Sequence, residues 1–480
     1  MMSATEKKRK ENNLLIASLI LIIIILSTVM FIRLGLDKPL LSQGESYYNL
    51  RISEALKKDF FLNKDPLQET IYEPNPHHYL ASFLLIFLPV KLLSFLFPLI
   101  LGLLSGLLFY KLLILLKIKP KNAAYSVIVL AVTPAFIILY TGLYLYGFAL
   151  FLSLLILVLF LNKKQGLQAL GGLLLPLLAW TNLTAFLITF IILLFLYMVI
   201  KRNLVIPFLS LIISALVIFL LTLLSNYTPR ILGFHGFAFR NILSVLKADI
   251  GFDLFLLILF LTGFVIVWIK DEARRLFYMP VLALVALSLF NTVARIYINF
   301  IITVYCVSAI TYFYKRKWDL KIIRTGTMIL VLCSLAFSVT NQANLLVDAQ
   351  PSQEVINSLD FLKNQLKGKV LTTEKQGFLV EYYSNKPVLL DSNSYLHSNY
   401  SEIRNDINAL FSSVRLLEAE PLLKKHELKY ILITPTMKEE LWENREQGLW
   451  FLMKNSEGFI NKYTQNNTEI WEYVEPREND

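Results

Sequence analysis

Uninterrupted apolar runs long enough to cross a bilayer recur along this chain, and they restrict its fold more than any motif does. The first is Asn13–Ile32, NLLIASLILIIIILSTVMFI. About 20 apolar residues make one membrane-spanning helix, and in hydrocarbon each backbone N–H and C=O must find its partner within the segment, so a lone run of this kind is helical. Hydrophobic residues make up 56% of the sequence and the mean hydropathy is +0.58, too apolar for a soluble chain of 480 residues. The sequence therefore predicts a polytopic α-helical membrane protein. A long basic tail precedes Asn13 and no small-residue cleavage site follows, so the run reads as an uncleaved anchor. Cys306 and Cys333 both fall inside apolar runs, which excludes a disulfide framework and leaves them as packing residues.

Charge orients the runs, because Lys and Arg gather in short cytoplasmic loops. Basic clusters occur at Lys7-Lys8-Arg9-Lys10, Lys117/Lys119/Lys121, Lys163-Lys164, Lys201-Arg202, Lys270/Arg274/Arg275 and Lys315-Arg316-Lys317 with Lys321 and Arg324. Placing these inside predicts spans near 13–32, 92–115, 122–140, 142–162, 166–180, 183–200, 204–224, 253–270, 275–294, 296–314 and 322–341. That is about eleven crossings, N-terminus in and C-terminus out. The net charge of +11 is then a topology signal and gives no support to nucleic-acid binding. Every long polar stretch, 36–79, 225–252 and 342–480, falls outside.

The first of these stretches, LDKPLLSQGESYYNLRISEALKKDFFLNKDPLQETIYEPNPHHY, is expected to open with a turn, Gly44-Glu45-Ser46-Tyr47-Tyr48, leading into an amphipathic segment that carries Arg51. Asp65-Pro66 and the cluster Pro74–His78, with His77 and His78, follow. A carboxylate, an arginine and two histidines at a membrane surface form a candidate site; the alternative is a solvated loop whose Tyr and Arg anchor it to headgroups. His78–Leu88 reads as an interfacial helix that Pro89 ends. The short run 166–180, with Gly171-Gly172 and Pro176, packs small residues against a neighbour or lines a cavity. An outer turn rich in Tyr, Thr133–Gly147, carries no acid. The loop 225–252 holds Arg230, His235, Arg240, Lys247 and Asp249 among aromatics, so it either covers a phosphate-bearing headgroup or forms a surface helix. Arg295, in Asn291-Thr-Val-Ala-Arg295, either snorkels to headgroups or faces inward and binds phosphate through its planar fork of donors.

After Thr340 polar residues become common, and helical and strand patterns alternate. Gln353–Leu366, Gly377–Tyr383, Ser401–Phe411, Leu416–His426 and Lys438–Lys454 read as helices. Lys369–Thr373, Pro387–Asp391, Lys429–Thr434, Gly458–Tyr463 and Glu469–Val474 read as strands. Alternation of this kind predicts a small α/β domain. No P-loop, dinucleotide-binding glycine pattern or nucleophile elbow occurs in it.

The arrangement resembles the GT-C glycosyltransferases, most of all the catalytic subunit of oligosaccharyltransferase and its archaeal relatives. The stretch GESYYNLRISEALKKDFFLNKDPL is similar to that family's first-loop signature: an acid, paired aromatics, Leu-Arg and a later Asp-Pro. Glu45 stands where the family has its catalytic or metal-binding Asp, and Arg51 and Asp65 follow in step. Arg295 resembles the arginine that holds the donor's phosphate, and Val370–Asp391, VLTTEKQGFLVEYYSNKPVLLD, the start of the outer domain. Two features depart from the family. Thr373-Glu374-Lys375-Gln376-Gly377 replaces its Trp-Trp-Asp-Tyr-Gly hallmark, and a second acidic motif is missing between Tyr140 and Tyr146.

The resemblance implies a GT-C-like membrane domain over 1–341, an extracytoplasmic α/β domain over 342–480, and transfer of a sugar from a polyprenyl phosphate or pyrophosphate donor to a protein or glycan acceptor. Such a transfer needs a base at the acceptor, a cation at the leaving phosphate and a groove for the isoprenoid. Glu45 is then the base, with Asp65 a second catalytic acid. Arg295 with Arg230 or His235 holds phosphate, and Arg51, His77 and His78 position sugar or acceptor. A magnesium or manganese ion is the cofactor the family implies, with Glu45 as its ligand, although one strong carboxylate equips a site poorly for a divalent cation. The rival from another class is a lipid-carrier binder or transporter that keeps the fold without the chemistry. Since a site that transfers sugar must exclude water, the outer domain is also expected to pack over the loop 36–79.

Overall fold

The apolar runs fold as helices whose boundaries follow the charge pattern closely. In the computed structural model residues 4–42, 44–68, 71–200, 205–224, 254–270, 278–394, 399–442 and 447–475 are described. The chain divides into two units, residues 1–33 with 73–348 and residues 34–72 with 349–480.

The first unit contains α1 (Ala4–Gly35, to Arg33), α3 (Pro76–Phe87), α4 (Val90–Leu115), α5 (Pro120–Ala131), α6 (Pro134–Tyr140), α7 (Leu145–Leu161), α8 (Gln165–Thr181), α9 (Leu183–Ile200), α10 (Val205–Leu224), α11 (Leu254–Lys270), α12 (Tyr278–Ser288), α13 (Thr292–Lys315) and α14 (Lys321–Asp348). Among the described residues α1, α4, α9, α10, α13 and α14 are each long and apolar enough to cross a membrane. With the shorter apolar helices α7, α11 and α12 they support a multi-pass membrane protein.

Burial separates the core helix from the lipid-facing ones. The apolar window of α13 is 72% buried against α5, α11 and α12, whereas those of α10 and α14 are 17% buried. The run expected as one span over 122–140 is instead two helices bent by 70° at Val132-Thr133. Pro134 has no N–H to continue the first helix, and the Thr133 side chain caps the second by accepting from the Phe136 N–H. All seven residues of α6 are buried, so the stretch read as an outer turn begins inside the unit. Gly172 resolves the two readings of α8: a Cβ there would meet Ser210 Oγ of α10 at 2.5 Å, so the small residue permits a close helix contact. Arg33, fully buried, donates from Nη1 to the carbonyl oxygens of Leu346 at 2.6 Å and Val347 at 3.3 Å, placing a cation on the C-terminal carbonyls of α14.

The second unit joins the first polar loop to the C-terminal α/β domain. Its helices are α2 (Gly44–Lys58), α15 (Gln353–Lys363), α16 (Gly377–Ser384), α17 (Tyr400–Ser412), α18 (Leu416–Lys425), α19 (Pro435–Leu441) and α20 (Gly448–Asn455), and its strands β1 (Lys369–Leu371), β2 (Leu428–Ile433), β3 (Phe459–Gln465) and β4 (Thr468–Tyr473). The sheet order is β1-β2-β4-β3, with β1 parallel to β2 and the other pairs antiparallel. The central β2, LKYILI, is apolar at nearly every position, as a strand covered on both faces must be. Around it Leu371, Ile431, Ile433, Leu449, Trp450 and Trp471 join one core.

Two expectations for this domain change. Pro387–Asp391 makes only an isolated parallel bridge between Val388 and Val370, because Pro387 has no N–H for a ladder and the Val388 carbonyl accepts from Gln68 Nε2 instead. The run 438–454 is not one helix: α19 ends before Trp442, and Gly448, at φ +57, starts α20 in a conformation that L residues rarely adopt.

Candidate functional site

The stretch expected as a turn at Gly44–Tyr48 is already the first turn of α2. Apart from Ile52 its residues are unbranched at Cβ, which favours helix, and Lys57 and Lys58 lie in the last turn, where the helix dipole favours cations. Ser46, Tyr47, Leu50, Ile52 and Leu56 are buried. Glu45 sits in the first turn, half-buried, at the end of the helix that favours negative charge.

Two tyrosine pairs hold α2 to α16. Tyr47 packs on Tyr382 and Tyr383 with ring centroids 5.2 and 5.4 Å apart, and Tyr48 packs on Phe378 at 4.7 Å. Gly377 allows α16 to start against the chain that follows it, since a Cβ there would meet the Leu390 carbonyl at 2.7 Å and Asp391 Cα at 2.8 Å.

Arg51 and Asp65 meet inside this contact. Arg51 Nη1 and Nη2 donate to Asp65 Oδ1 and Oδ2 at 2.6 and 2.7 Å, a parallel fork, and Nη2 also donates to Glu381 Oε2 at 2.9 Å. Asp65 further accepts from the Leu67 and Gln68 N–H groups, and Gln68 Nε2 donates to Glu381 Oε1. Arg51 is 8% exposed, Asp65 5% and Glu381 not at all. Asp391 lies close by and accepts from Ser394 Oγ and the Asn393 N–H, both at 2.8 Å. A single arginine thus faces three carboxyl groups. Burial works to raise Asp65, but the Arg51 hydrogen bonds and charge hold it below the usual carboxylate range. Burial pushes Glu381 up to about 8 against the pull of Arg51, and also raises Asp391. Tyr48, beside the same carboxyls, is raised by burial as well.

Glu45 lies on α2 about 120° around the helix from Arg51, six residues apart at 100° each. The two therefore point in different directions. The bidentate fork on Asp65 and the bond to Glu381 engage both terminal nitrogens of Arg51, while its Nε is buried without a hydrogen-bond partner among the described residues, so the geometry joins the polar loop to the C-terminal domain. The expectation that this domain packs on the loop is met within the second unit. Glu381 and Gln68 were missed in the sequence. The available signal was the Tyr-Tyr pair directly after Glu381, which mirrors Tyr47-Tyr48.

In the first unit the histidines open α3. Asn75 caps the helix by accepting from the His77 N–H at 3.0 Å, and its Nδ2 donates to the Thr181 carbonyl at 3.1 Å, while Trp180 Nε1 donates to the Pro74 carbonyl at 2.9 Å. The break between α8 and α9 thereby fixes the start of α3. His77 is fully buried, packed on Phe97 and Phe148 with centroids 5.6 and 5.7 Å away, and neither ring nitrogen has a hydrogen-bond partner among the described residues. His78, 5% exposed, stands beside it at 5.8 Å.

Arg295 is 8% exposed at the start of α13 and its Nε donates to the Ser288 carbonyl at 3.2 Å, so it faces protein and not headgroups. One turn on, Asn299 Nδ2 donates to the Arg295 carbonyl, and Asn299 Oδ1 is buried without a partner among the described residues. Tyr297, Ser153 and Thr189 form a buried hydroxyl cluster. It borders an apolar cavity of about 380 Å³ walled by Leu112, Leu154, Ile188, Leu284 and Phe300. Arg230 and His235, with the whole loop 225–252, lie outside the described residues. Cys306 is buried and Cys333 exposed on α14.

Among the described residues no three His, Cys, Asp or Glu side chains are grouped to hold a divalent cation, and the carboxyls that do gather surround Arg51.

No protein-family profile and no curated protein matches the sequence. Solved structures do match its fold. An archaeal oligosaccharyltransferase from Archaeoglobus fulgidus, in complex with an inhibitory peptide and a dolichol-phosphate, superposes with a TM-score of 0.63 at 13% identity, covering 98% of this chain and 75% of its own. ArnT from Cupriavidus metallidurans bound to undecaprenyl phosphate gives 0.59 at 10% identity, over 94% and 98% of the two chains. The mycobacterial arabinofuranosyltransferase AftD gives 0.54 at 12% identity, over 94% of this chain and 41% of its own. All three are GT-C glycosyltransferases, and this chain is similar to them in fold.

Proposed function

We propose that this protein is a membrane glycosyltransferase that moves a sugar or oligosaccharide from a polyprenyl phosphate or pyrophosphate to an acceptor on the extracytoplasmic side. The observation that carries this reading is the position of Glu45: an acid in the first turn of a helix that directly follows the first apolar helix, in a chain of GT-C fold. In the reaction the acceptor's nucleophilic oxygen or nitrogen gives its proton to Glu45 and forms a bond to the anomeric carbon. The bond from that carbon to phosphate oxygen breaks, and the polyprenyl phosphate or pyrophosphate leaves. Arg295, inward-facing and always cationic, stabilises the charge on the leaving phosphate. His77, whose ring nitrogens are uncommitted among the described residues, orients sugar or acceptor beside His78. The apolar cavity under the Tyr297 cluster takes part of the isoprenoid chain. Asp65 and Arg51 brace the loop that carries Glu45.

Purified protein in vesicles with radiolabelled lipid-linked sugars tests the reading. Glu45→Gln keeps the shape of the side chain but removes the base, so transfer should fall by about 10²–10⁴ with little change in melting temperature. Arg295→Ala should cost about 2–4 kcal/mol of transition-state stabilisation. Deleting 349–480 should abolish transfer. The acidic motif missing between Tyr140 and Tyr146 favours a second reading, a lipid-carrier binder or transporter without chemistry. That protein would retain labelled donor on the membrane, transfer nothing, and bind equally well with Gln at position 45.

A further inference from the structure

The turn after α2 displays two adjacent phenylalanines at its surface. Phe60 and Phe61 are 58% and 80% exposed and stack edge to face with centroids 5.4 Å apart. The Asp59 carboxylate accepts from the Phe61 N–H at 3.1 Å, which fixes the turn. The chain then returns on itself, with the Tyr72 N–H bonded to the Asn63 carbonyl at 3.0 Å and Lys64 paired opposite Ile71, itself 62% exposed. Three large apolar side chains are thus displayed by a turn and a bridge held by backbone geometry. Lys57, Lys58 and Lys64 lie within four residues of the pair and are exposed, and Asp59 is the one acid in 57–64.

Single exposed apolar residues are ordinary on a protein surface, but adjacent exposed phenylalanines on a short turn among lysines are not. The pattern suits a bilayer interface. Aromatic rings settle at headgroup depth, lysine stems reach along them, and the ammonium groups meet anionic lipid phosphates. The bilayer is also the partner already at hand, because α1 is a membrane-spanning candidate that ends at Gly35 and α2 begins at Gly44. A tether of so few residues keeps a high effective concentration of lipid surface near the turn.

We propose that Phe60 and Phe61 insert into the interfacial layer of the bilayer, with Lys57, Lys58 and Lys64 against anionic headgroups, as a membrane-docking tip of the second unit. This stands whether or not the protein transfers sugar. The test uses the full chain with Cys306→Ala and Cys333→Ala, a nitroxide label on Phe60→Cys or Phe61→Cys, and Ser412→Cys as an exposed reference. The protein is reconstituted in phosphatidylcholine vesicles with and without phosphatidylglycerol, and collisional accessibility to oxygen and to a water-soluble nickel chelate is read by spin resonance. The expected result is oxygen-dominated relaxation at 60 and 61 and nickel-dominated relaxation at 412. Replacing all three lysines by Gln in the Phe61→Cys variant should shift the label toward water in the anionic vesicles and leave it unchanged in pure phosphatidylcholine. Nickel accessibility at 60 and 61 equal to that at 412 overturns the proposal. So does protection from both reagents, which would mean that protein, such as a bound acceptor, covers the pair. An unchanged depth in anionic vesicles after loss of the lysines overturns the headgroup contact.

Discussion

In the second unit Arg51 is buried with carboxylates on both terminal nitrogens, whereas in the first unit His77 is buried with no partner on either ring nitrogen among the described residues. Both residues were read from sequence as candidates for the same task of positioning substrate. The difference separates them. A buried ion held at both terminal nitrogens by carboxyl groups keeps only Nε uncommitted among the described residues, and removing its partners costs more than the pair contributes. A buried ring with open nitrogens has lost its hydration without replacement, a condition that proteins tolerate where a ligand or an ordered water completes the site. Thus Arg51 and Asp65 brace the loop, and of the two residues His77 is the better candidate for contact with substrate.

The largest expected effect falls on the brace. Arg51→Ala leaves the Asp65 and Glu381 carboxyls buried without their cation, which should destabilise the second unit by about 3–5 kcal/mol. Thermal melting with limited proteolysis between residues 36 and 79 reads this directly: the loop should become cleavable at temperatures where the wild type resists. Arg51→Lys should recover only part of the loss, because an ammonium group cannot form the parallel fork on Asp65. If Arg51→Ala melts like wild type and loses only transfer, the brace is a substrate site after all and the comparison is wrong.

A smaller effect follows from sharing one cation among three carboxyls. Glu381 holds its proton up to about 8 in the folded state, far above an ordinary unfolded glutamate, so between roughly pH 4.5 and 8 the folded state binds the extra proton. The sign is therefore the reverse of a common salt bridge. The stabilising contribution of Glu381 is full below the unfolded value and is lost as pH rises through 8, at most about 1.4 kcal/mol per pH unit. Asp65, held low, contributes in the opposite sense: its share is present above the unfolded carboxylate range and disappears in acid. Melting curves of wild type should show falling stability from pH 5 to 8, and Glu381→Gln, which cannot titrate, should flatten that slope. An equal slope in the variant would assign the pH dependence to another group.

How much of this was legible follows from what each residue needs. Helix positions in the first unit could be read because about 20 apolar residues with basic punctuation leave few alternatives in hydrocarbon. The bend at Val132-Thr133 was written as Thr133-Pro134, but a proline breaks a helix equally well at a loop and inside a bundle, and the sequence carries no depth. In the second unit Glu45, Arg51 and Asp65 stood out because GESYYNLRISEALKKDFFLNKDPL resembles the first-loop signature of GT-C glycosyltransferases. Their roles did not, since a second carboxyl that bonds Arg51 lies 330 positions further on and the Tyr-Tyr pair after Glu381 does not by itself name its partner. The strand expected at Pro387–Asp391 failed for a similar reason: its carbonyl at Val388 is used by Gln68, a tertiary contact that outweighs a local β pattern.

The smallest change in stability is expected at His77, and it bears most on what the helical unit does. If the ring has no partner in the protein, replacing it with an apolar ring of similar shape removes no hydrogen bond and relieves the burial of two polar atoms. His77→Phe should then shift the melting temperature little, corresponding to less than about 1 kcal/mol in either direction. Contact with Phe97 and Phe148 would be kept, since those packing partners accept a phenyl ring as readily as an imidazole. Transfer activity should fall all the same, on the order of 10²-fold, if the ring orients sugar or acceptor, because a reactant held an ångström out of place loses that much. Measuring melting and transfer on one preparation separates three outcomes. Unchanged stability with lost transfer supports a substrate contact. A loss of stability beyond about 2 kcal/mol would mean that a segment outside the described residues supplies a partner. Unchanged values of both would make His77 a filler of the core and move the search to Arg295 and Asn299.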